Sequence, residues 1–356
     1  MSKKKIDEKV EIKINAACGC IENNGIWFVH YVLNLLFFYD FSKKKIIFST
    51  VIPTKSSIDP VPYLAMASVN NKIYLFSNNA DKSFVYDIEK DYFEEIKLKE
   101  VMHGGFRAAY VVGDYIYAVP FWYKNIVKYD TRTGIVDYLD GISSLLGKEQ
   151  FYINDSCLVE EEKIVVAVPN IGTLLEFDLK SEKWNTYSKE CSGNYSSVIY
   201  KNGVLLAFDL IRKRVVAFDN KKNIVGETGK MTDYSVSLSD LGNQFWASND
   251  TKTGIIQIWD TGFTLNYLIE PQIDINDLTT EYLDGIWVFD ACYSYGITKS
   301  SELILFDRSE NKVISRSKIS CIVPTDYLAD FMKIDPNKIN IENTFRRLSD
   351  FIDYIV

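Results

Sequence analysis

Short apolar runs separated by polar turns occupy most of the chain, and the runs fall into groups of four. In the first group they cover residues 14–21, 25–29, 35–39 and 46–52. An Asn-Asn-Gly turn separates the first two runs, and a Ser-Lys-Lys-Lys stretch separates the last two. Runs of this length, bounded by such turns, are typical of strands joined as antiparallel hairpins. The pattern therefore predicts a four-stranded antiparallel meander.

The same grouping recurs along the chain and gives seven predicted units. Seven units of four short strands are typical of an all-β fold, a seven-bladed β-propeller of four-stranded antiparallel blades. The strands predicted for units two to seven are 63–69, 72–77, 83–86 and 92–98; 106–112, 115–120, 125–129 and 135–139; a strand at Cys157, 164–168, 174–177 and 184–187; 196–200, 204–208, 214–218 and 224–227; 234–238, 244–247, 255–259 and 265–269; and 278–282, 286–289, 303–306 and 313–319.

An aromatic residue followed by Asp marks the third strand of every unit. The aspartates lie 47, 43, 48, 41, 41 and 47 positions apart. Such an Asp can accept hydrogen bonds from the backbone of the following turn, and the ring can fill the wide outer space between blades. Because the pair repeats in every unit, we interpret it as structural and not catalytic. The pairs are Tyr39-Asp40, Tyr86-Asp87, Tyr129-Asp130, Phe177-Asp178, Phe218-Asp219, Trp259-Asp260 and Phe306-Asp307.

The repeat predicts a propeller domain over residues 1–320 and a short helical C-terminal extension over residues 321–356. Within the extension, residues 326–333 and 343–354 are predicted helices, and the second has one amphipathic face. We expect the extension on or near the propeller, with either a monomer or a weak dimer through the C-terminal helix. Residues 10–14 are expected either to join the last blade or to extend the first inner strand.

The third unit carries a motif that resembles a known group of repeats. It reads Asp114-Tyr115-Ile116-Tyr117, followed by Asn-Ile-Val-Lys-Tyr-Asp-Thr-Arg-Thr-Gly over residues 125–134. This motif resembles the repeats of bacterial Kelch-like and streptogramin-lyase-like β-propellers, and the resemblance spans roughly residues 15–319. It implies the propeller fold. The Gly-Gly doublet that ends the second strand of a Kelch repeat is missing, since the doublet at 104–105 lies between units.

Composition and charge narrow the function classes. The chain has 356 residues, of which 47% are hydrophobic, so a packed core is expected. Its net charge of −8 disfavours a nucleic-acid partner, because phosphate binding needs a basic face. No apolar stretch approaches a membrane span and no secretory signal is evident, so we expect a cytoplasmic protein without membrane association. The six cysteines form no ligand framework, so neither a metal site nor a cofactor is predicted.

Long, irregular connections are predicted on one face of the ring, which we call the top face. If each inner strand runs downwards from this face, the connections between second and third strands and between blades gather there. Loops of this kind usually carry function. Aromatic residues with Arg and Asn around them suit a sugar or a peptide partner. The predicted ligand-binding residues are Phe121, Trp122, Tyr123, Arg107, Tyr152, Asn154, Tyr195, Tyr234 and Asn276.

Four residues are candidates for catalysis. Matching Ile-Asn-Asp triplets at 153–155 and 275–277 start the inner strands of units four and seven, which lie nearly opposite each other in a seven-membered ring. Asp155 and Asp277 could therefore face one cavity and act as acid and base. His30 and His103 are expected on the top face. A streptogramin-lyase-like activity would require a His with a Glu beside it, and neither histidine has one locally.

Three functions remain open, and the last of them is a purely structural scaffold that contacts its partner through the C-terminal helix. The first is a non-catalytic binding module that recognises a protein or a glycan through the loop-rich top face. The alternative is a lyase or hydrolase that acts on a carbohydrate or small-molecule substrate in a central pocket on the top face. The seven repeated aspartates favour none of these functions, because they are assigned to turns on the bottom face.

Overall fold

The computed structural model confirms an all-β propeller with seven blades. The structure describes residues 9–14, 16–31, 33–54, 62–99, 105–122, 125–139, 141–142, 145, 152–187, 193–231, 236–250, 253, 255–270, 286–298 and 301–324. Each blade is a sheet of four consecutive antiparallel strands, and we name these strands A to D from the channel outwards. In the part of the chain that the structure describes, no helix is long and apolar enough to cross a membrane.

The strands follow one another along the chain without any exchange between blades. Strand β1 (Lys9–Lys13) precedes the first blade, and a 3-10 helix at Pro169–Ile171 lies in the fourth. Blade 1 contains β2 (Ala16–Glu22), β3 (Gly25–His30), β4 (Leu35–Asp40) and β5 (Lys45–Val51); blade 2 contains β6 (Tyr63–Val69), β7 (Lys72–Ser77), β8 (Ser83–Asp87) and β9 (Tyr92–Ile96). Blade 3 contains β10 (Phe106–Val112), β11 (Tyr115–Pro120), β12 (Val127–Asp130) and β13 (Val136–Tyr138); blade 4 contains β14 (Asp155–Val159), β15 (Lys163–Val168), β16 (Thr173–Asp178) and β17 (Lys183–Thr186).

The remaining three blades repeat this order. Blade 5 contains β18 (Tyr195–Lys201), β19 (Val204–Asp209), β20 (Arg214–Phe218) and β21 (Ile224–Glu227); blade 6 contains β22 (Val236–Asp240), β23 (Phe245–Asp250), β24 (Ile256–Asp260) and β25 (Leu265–Ile269). Blade 7 contains β26 (Ile286–Phe289), β27 (Tyr293–Ile297), β28 (Glu302–Asp307) and β29 (Lys312–Lys318), and β30 (Ser320–Pro324) follows it.

The hydrophobic core is divided into seven clusters, one in each seam between neighbouring blades. Strand β3 shows how one strand serves two seams, because all six of its residues are buried. Ile26 and Phe28 pack towards blade 7, whereas Trp27 and Val29 pack towards blade 2. The innermost strands contact their neighbours around the whole ring, and β26 contacts β2. The ring is therefore closed by the same face-to-face packing that joins the other blades.

The aspartates of the seven aromatic-Asp pairs cap the turns between strands C and D, which confirms their predicted role. A carboxylate oxygen of each accepts a backbone N–H from the turn that follows it, as in an Asx turn. The oxygen–nitrogen distances are 2.9 Å for Asp40 with Lys43, 3.0 Å for Asp87 with Lys90, 2.8 Å for Asp130 with Arg132, 2.7 Å for Asp178 with Ser181, 2.8 Å for Asp219 with Asn223, 2.9 Å for Asp260 with Thr264 and 2.9 Å for Asp307 with Ser309.

Two further aromatic-Asp pairs fall outside this period and cap other turns. Asp209, after Phe208, accepts the amides of Ile211 (2.8 Å) and Arg212 in the connection between strands B and C of blade 5. Asp290, after Phe289, accepts the amides of the A–B turn of blade 7. An aromatic-Asp pair therefore indicates a turn after a strand. Only its spacing from the other pairs shows which turn of the blade it caps.

Blade 7 corrects one strand assignment made from the sequence. Residues 286–289 were predicted as its second strand, but β26 is the first and β27 the second. Second strands are the most buried strands of the blades, and four of the five residues of β27 are buried, whereas none of β26 is. Phe289-Asp290 resembles the end of a third strand, which hid the short A–B turn. The predicted first strand, 278–282, lies outside the described residues.

The two ends of the described chain form a separate antiparallel ribbon. β1 pairs with β30, from Lys9 opposite Pro324 to Lys13 opposite Ser320. The ribbon places Ile12 and Val323 in the hydrophobic cluster between blades 7 and 1. Residues 10–14 therefore join neither the last blade nor the first inner strand. Residues 321–324, predicted as part of the helical extension, are strand, and residues 325–356, which include both predicted helices, lie outside the described residues.

The A–B turn of blade 4 has an unfavourable composition. Its two central residues, Glu160 and Glu161, have φ values of 51° and 55°. Blade 5 uses Asn202-Gly203 at the equivalent turn, the pair that such hairpins prefer. We expect Glu161→Gly to raise the free energy of unfolding by about 0.5–1 kcal/mol, because it removes left-handed strain. Chemical denaturation tests this, with Glu162→Gly, where φ is not positive, as a control expected to destabilise.

The capping aspartates predict a pH dependence. Hydrogen bonds from the backbone amides of Arg132 and Thr133 hold the pKa of Asp130 below its usual 3.8. Because the folded pKa is lowered, this carboxylate stabilises the fold above pH 3.8 and its contribution is lost as the pH falls through the folded pKa. Asp130→Asn should therefore lower the melting temperature at pH 7, and the difference from wild type should shrink towards pH 3. Asp137→Asn, on the exposed outer strand of the same blade, is the control; a difference independent of pH would contradict the prediction.

Candidate functional site

The top mouth of the channel is bordered by β-bulges in the innermost strands. β2, β6, β10 and β18 each contain one extra residue directly after their first. Bulges redirect side chains and occur next to functional sites. In blade 4 the matching position precedes β14 and is held by a bond from the amide of residue 154 to the carbonyl of Ala167, 3.0 Å away. The residues at this position in blades 1 to 5 are Ala17, Leu64, Arg107, Asn154 and Ser196.

The character of this position changes around the mouth. It is apolar in blades 1 and 2 and polar in blades 3, 4 and 5. We call Arg107, Asn154 and Ser196 the polar crescent. The structure thus brings Arg107 and Asn154, two predicted ligand-binding residues, to equivalent places on adjacent blades.

A hydrogen-bond chain behind the crescent joins blades 4, 5 and 6. The carboxylate of Asp155 accepts the hydroxyl of Ser197 and, at 3.1 Å, the amide of Val198. Its other oxygen accepts the amide of Ser156 at 2.9 Å. Ser197 in turn accepts the amide of Leu238 at 2.8 Å. Both carboxylate oxygens of Asp155 are therefore engaged in joining strands.

Two more bonds extend this chain towards the crescent and blade 3. The Nδ2 of Asn154 donates to the carbonyl of Ser196 at 2.6 Å. The hydroxyl of Tyr110 donates to the carbonyl of Ser156 at 2.6 Å and lies 3.0 Å from its Oγ. Polar groups inside a seam cost free energy unless they are paired, and these bonds supply the pairing.

Burial dominates the electrostatics of this region. It raises the pKa of Asp155, although the nearby Arg107 guanidinium and the hydrogen bonds from Ser197 and Val198 act in the opposite direction. Burial likewise raises the pKa of Tyr110 and of the Cys157 thiol. The thiol and the phenol therefore stay protonated at neutral pH, and neither is activated as a nucleophile.

An aromatic cluster stands beside the crescent on the top of blades 3 and 4. The ring of Trp122 lies 5.4 Å from that of Tyr152 and 5.4 Å from that of Phe121, and 45% of Trp122 is exposed. Backbone bonds hold the cluster, since the amide of Phe121 donates to the carbonyl of Gly105 (2.8 Å) and the carbonyl of Phe121 accepts the amide of Ile153 (3.1 Å). Gly105 is required here because a Cβ would lie 2.2 Å from the carbonyl oxygen of Ser77.

Other predicted residues lie elsewhere. Tyr195 is 2% exposed and packs its ring 5.9 Å from that of Phe218, so it belongs to the seam between blades 4 and 5. His30 is buried in blade 1, where its Nδ1 accepts the amide of Leu33 at 3.1 Å. Blades 2 and 3 separate it from Asp155. The predicted residues Tyr123, Tyr234, Asn276, Asp277 and His103 lie outside the described residues.

Sequence reasoning missed Ser196, Ser197 and Tyr110. A signal existed, because the pair Ser196-Ser197 follows Tyr195 at a place where the inner strand of blade 2 has Leu64-Ala65. A polar pair at the start of an inner strand therefore indicates a channel-mouth or seam function. Among the described residues, no group of three or more His, Cys, Asp or Glu could hold a metal ion.

The solved structures similar to this fold include streptogramin B and virginiamycin B lyases. Virginiamycin B lyase from Staphylococcus aureus, as the selenomethionine protein, has a TM-score of 0.65 at 10% identity, covering 82% of this chain and 96% of that chain. A streptogramin B lyase has a TM-score of 0.64 at 13% identity, covering 82% and 95%. A catalytically inactive histidine-to-alanine virginiamycin B lyase from S. aureus with quinupristin has a TM-score of 0.62 at 11% identity, covering 82% and 96%.

These comparisons bear on the fold alone. The propeller architecture implied by the streptogramin-lyase-like resemblance is confirmed, whereas a specific Kelch-like relationship is not shown. No protein-family model and no curated protein sequence matches the chain.

The hydrogen-bond chain predicts which serine matters for stability. Ser197→Ala removes the donor to Asp155 and leaves the amide of Leu238 without its acceptor. We expect a loss of roughly 1–3 kcal/mol in the free energy of unfolding, the usual cost of an unpaired buried polar group. Urea denaturation measures the loss. Ser237→Ala, next to Leu238 on β22, is the control; an equal effect from both variants would contradict the assigned role.

Proposed function

We propose that the protein is a non-catalytic binding module that recognises a glycan through the top face of blades 3 to 5. The observation that carries this proposal is the exposed ring of Trp122, packed against Tyr152 and Phe121, on the same blades as the polar crescent. Aromatic rings can pack against the apolar face of a sugar, and nearby polar groups can fix its hydroxyls. A protein partner on the same surface is the competing occupant.

The placement of Asp155 and His30, the two catalytic candidates that the structure describes, favours binding over catalysis. Both oxygens of Asp155 are engaged by Ser197, Val198 and Ser156. His30, whose Nδ1 accepts a backbone amide, is buried in blade 1. A general base must reach the proton that it removes, and neither group is placed to do so.

A lyase or hydrolase is the second candidate, and one observation favours it. Burial raises the pKa of Asp155, and a raised pKa would let a carboxylic acid donate a proton at a higher pH. Mass spectrometry of each bound glycan after incubation with the protein distinguishes the two candidates. An intact glycan supports binding alone, and a cleaved or unsaturated product that Asp155→Asn abolishes supports the enzyme.

The proposal predicts the effect of removing the exposed ring. Trp122→Ala should weaken glycan binding at least about tenfold, which corresponds to about 1.4 kcal/mol, whereas Trp122→Phe should retain much of it. A glycan array followed by calorimetry on the bound glycans measures this. Tyr92→Ala is the control, because Tyr92 is 62% exposed on the outer strand of blade 2.

Two outcomes count against the proposal. Glycan binding that survives Trp122→Ala would place the site elsewhere. An array without bound glycans, combined with a stable protein complex in the native host that Trp122→Ala disrupts, would replace the glycan with a protein partner.

A further inference from the structure

Arg107 has donor groups that the fold does not use. Its guanidinium makes no hydrogen bond and no ion pair with any described residue, although it is only half-exposed. The backbone around it is fixed, because Phe106 is 1% exposed and packs edge-on to Phe76 at 5.7 Å. A half-buried guanidinium with five unfilled N–H donors has a large unmet capacity for an anion.

Asp155, an acid close enough to interact electrostatically with Arg107, does not meet that capacity. Asp155 is close enough for its charge to be affected by Arg107, but it forms no ion pair with it. Its oxygens already accept the groups of Ser156, Ser197 and Val198. The in-plane N–H donors of the Arg107 guanidinium therefore remain available for a ligand.

A second, independent group in the crescent also lacks a partner. Ser196 is 3% exposed, and its hydroxyl has no hydrogen-bond partner among the described residues. A buried polar atom without a partner costs free energy unless a ligand or water satisfies it. Asn154 lies between Ser196 and Arg107 in the order of the blades, and its amide bonds the Ser196 carbonyl, so the crescent is continuous.

We infer that the polar crescent is a subsite for a carboxylate, and that the glycan bound here carries an acidic sugar. The inference rests on the proposed glycan binding and names the class of ligand. A guanidinium binds a carboxylate through two parallel hydrogen bonds, which fixes its direction as well as its charge. One arginine supplies one positive charge, which matches the single negative charge of a carboxylate better than the charge of about −2 of a phosphate monoester. The backbone of Phe121 bonds Gly105 and Ile153, which are close in sequence to Arg107 and Asn154, so Trp122 lies on the same side of blades 3 and 4 as the crescent.

The test uses glycans that differ only in the acid group. Uronate- and sialate-terminated oligosaccharides are arrayed next to the same compounds with the carboxyl reduced to an alcohol, and next to sulfated analogues. The wild-type protein should bind the carboxylated member at least about tenfold more tightly than its reduced counterpart, with the preference falling as salt is raised. Preference for the sulfated member over the carboxylated one would overturn the assignment to a carboxylate.

Variants separate the subsite from the rest of the surface. Arg107→Gln should abolish the preference, so that carboxylated glycans bind no more tightly than their reduced counterparts, whereas Arg107→Lys should retain part of the preference. Ser196→Ala should reduce the preference. Arg132→Gln, at a 62% exposed arginine on the bottom of the same blade, is the control. The melting temperature of each variant is measured alongside to show that it is folded.

The outcomes distinguish this inference from the proposed function. If glycans bind and Trp122→Ala weakens them, but acidic and reduced members bind equally, the carboxylate subsite is wrong and the glycan-binding function stands. The same holds if Arg107→Gln keeps the full preference. If no glycan binds, the proposed function is wrong and the inference falls with it.

Discussion

Face-to-face packing of blades is the interaction on which the rest of this structure depends. An isolated four-stranded sheet would expose both faces of strands such as β3, whose six residues are all buried. Each strand therefore divides its side chains between two seams, and each seam is completed only by the next blade. Most positions in strands A, B and C are committed to this packing. The residues that can vary without opening a seam lie in the turns and at the channel mouth, and this is where the structure departs from its repeat.

Closure of the ring follows from the same constraint. Every blade consists of consecutive strands, so no strand from one end of the chain completes a blade at the other. The seam between blades 7 and 1 must therefore form between segments at opposite ends of the sequence, which carries the largest loop-closure entropy. That seam receives additional apolar side chains from the β1–β30 ribbon, among them Ile12 and Val323. The ribbon therefore stabilises the seam between blades 7 and 1, whose two sides are the farthest apart in the sequence.

Local sequence patterns predicted most of the strands and turns. The remaining features depend on how strands pair with one another, which a local pattern does not show. Apolar runs and turn residues act over a few positions, so the strands and the Asp-capped turns could be read directly. The strand prediction for blade 7 was wrong because the aromatic-Asp pair Phe289-Asp290 precedes an A–B turn and not a C–D turn. Bulges are differences in pairing between two strands, and no single strand carries their signature. The aromatic cluster and the residues Arg107 and Asn154 were predicted individually as ligand-binding residues. Their positions next to one another on adjacent blades depend on where the bulges lie.

The asymmetry of the mouth also explains where a ligand can be recognised. A strictly repeated propeller would place the same residue at every bulge, and the mouth would then offer the same contact on all sides. Here the position is apolar at Ala17 and Leu64 and polar at Arg107, Asn154 and Ser196. Placing polar groups in the inner strands of blades 3 to 6 requires the paired chain from Tyr110 through Asp155 to Leu238, since unpaired groups would weaken those seams. The hydrogen-bond chain pairs the polar groups of the seams, but it includes neither the Arg107 guanidinium nor the Ser196 hydroxyl. These two groups differ from the structural polar residues because no described residue pairs with them.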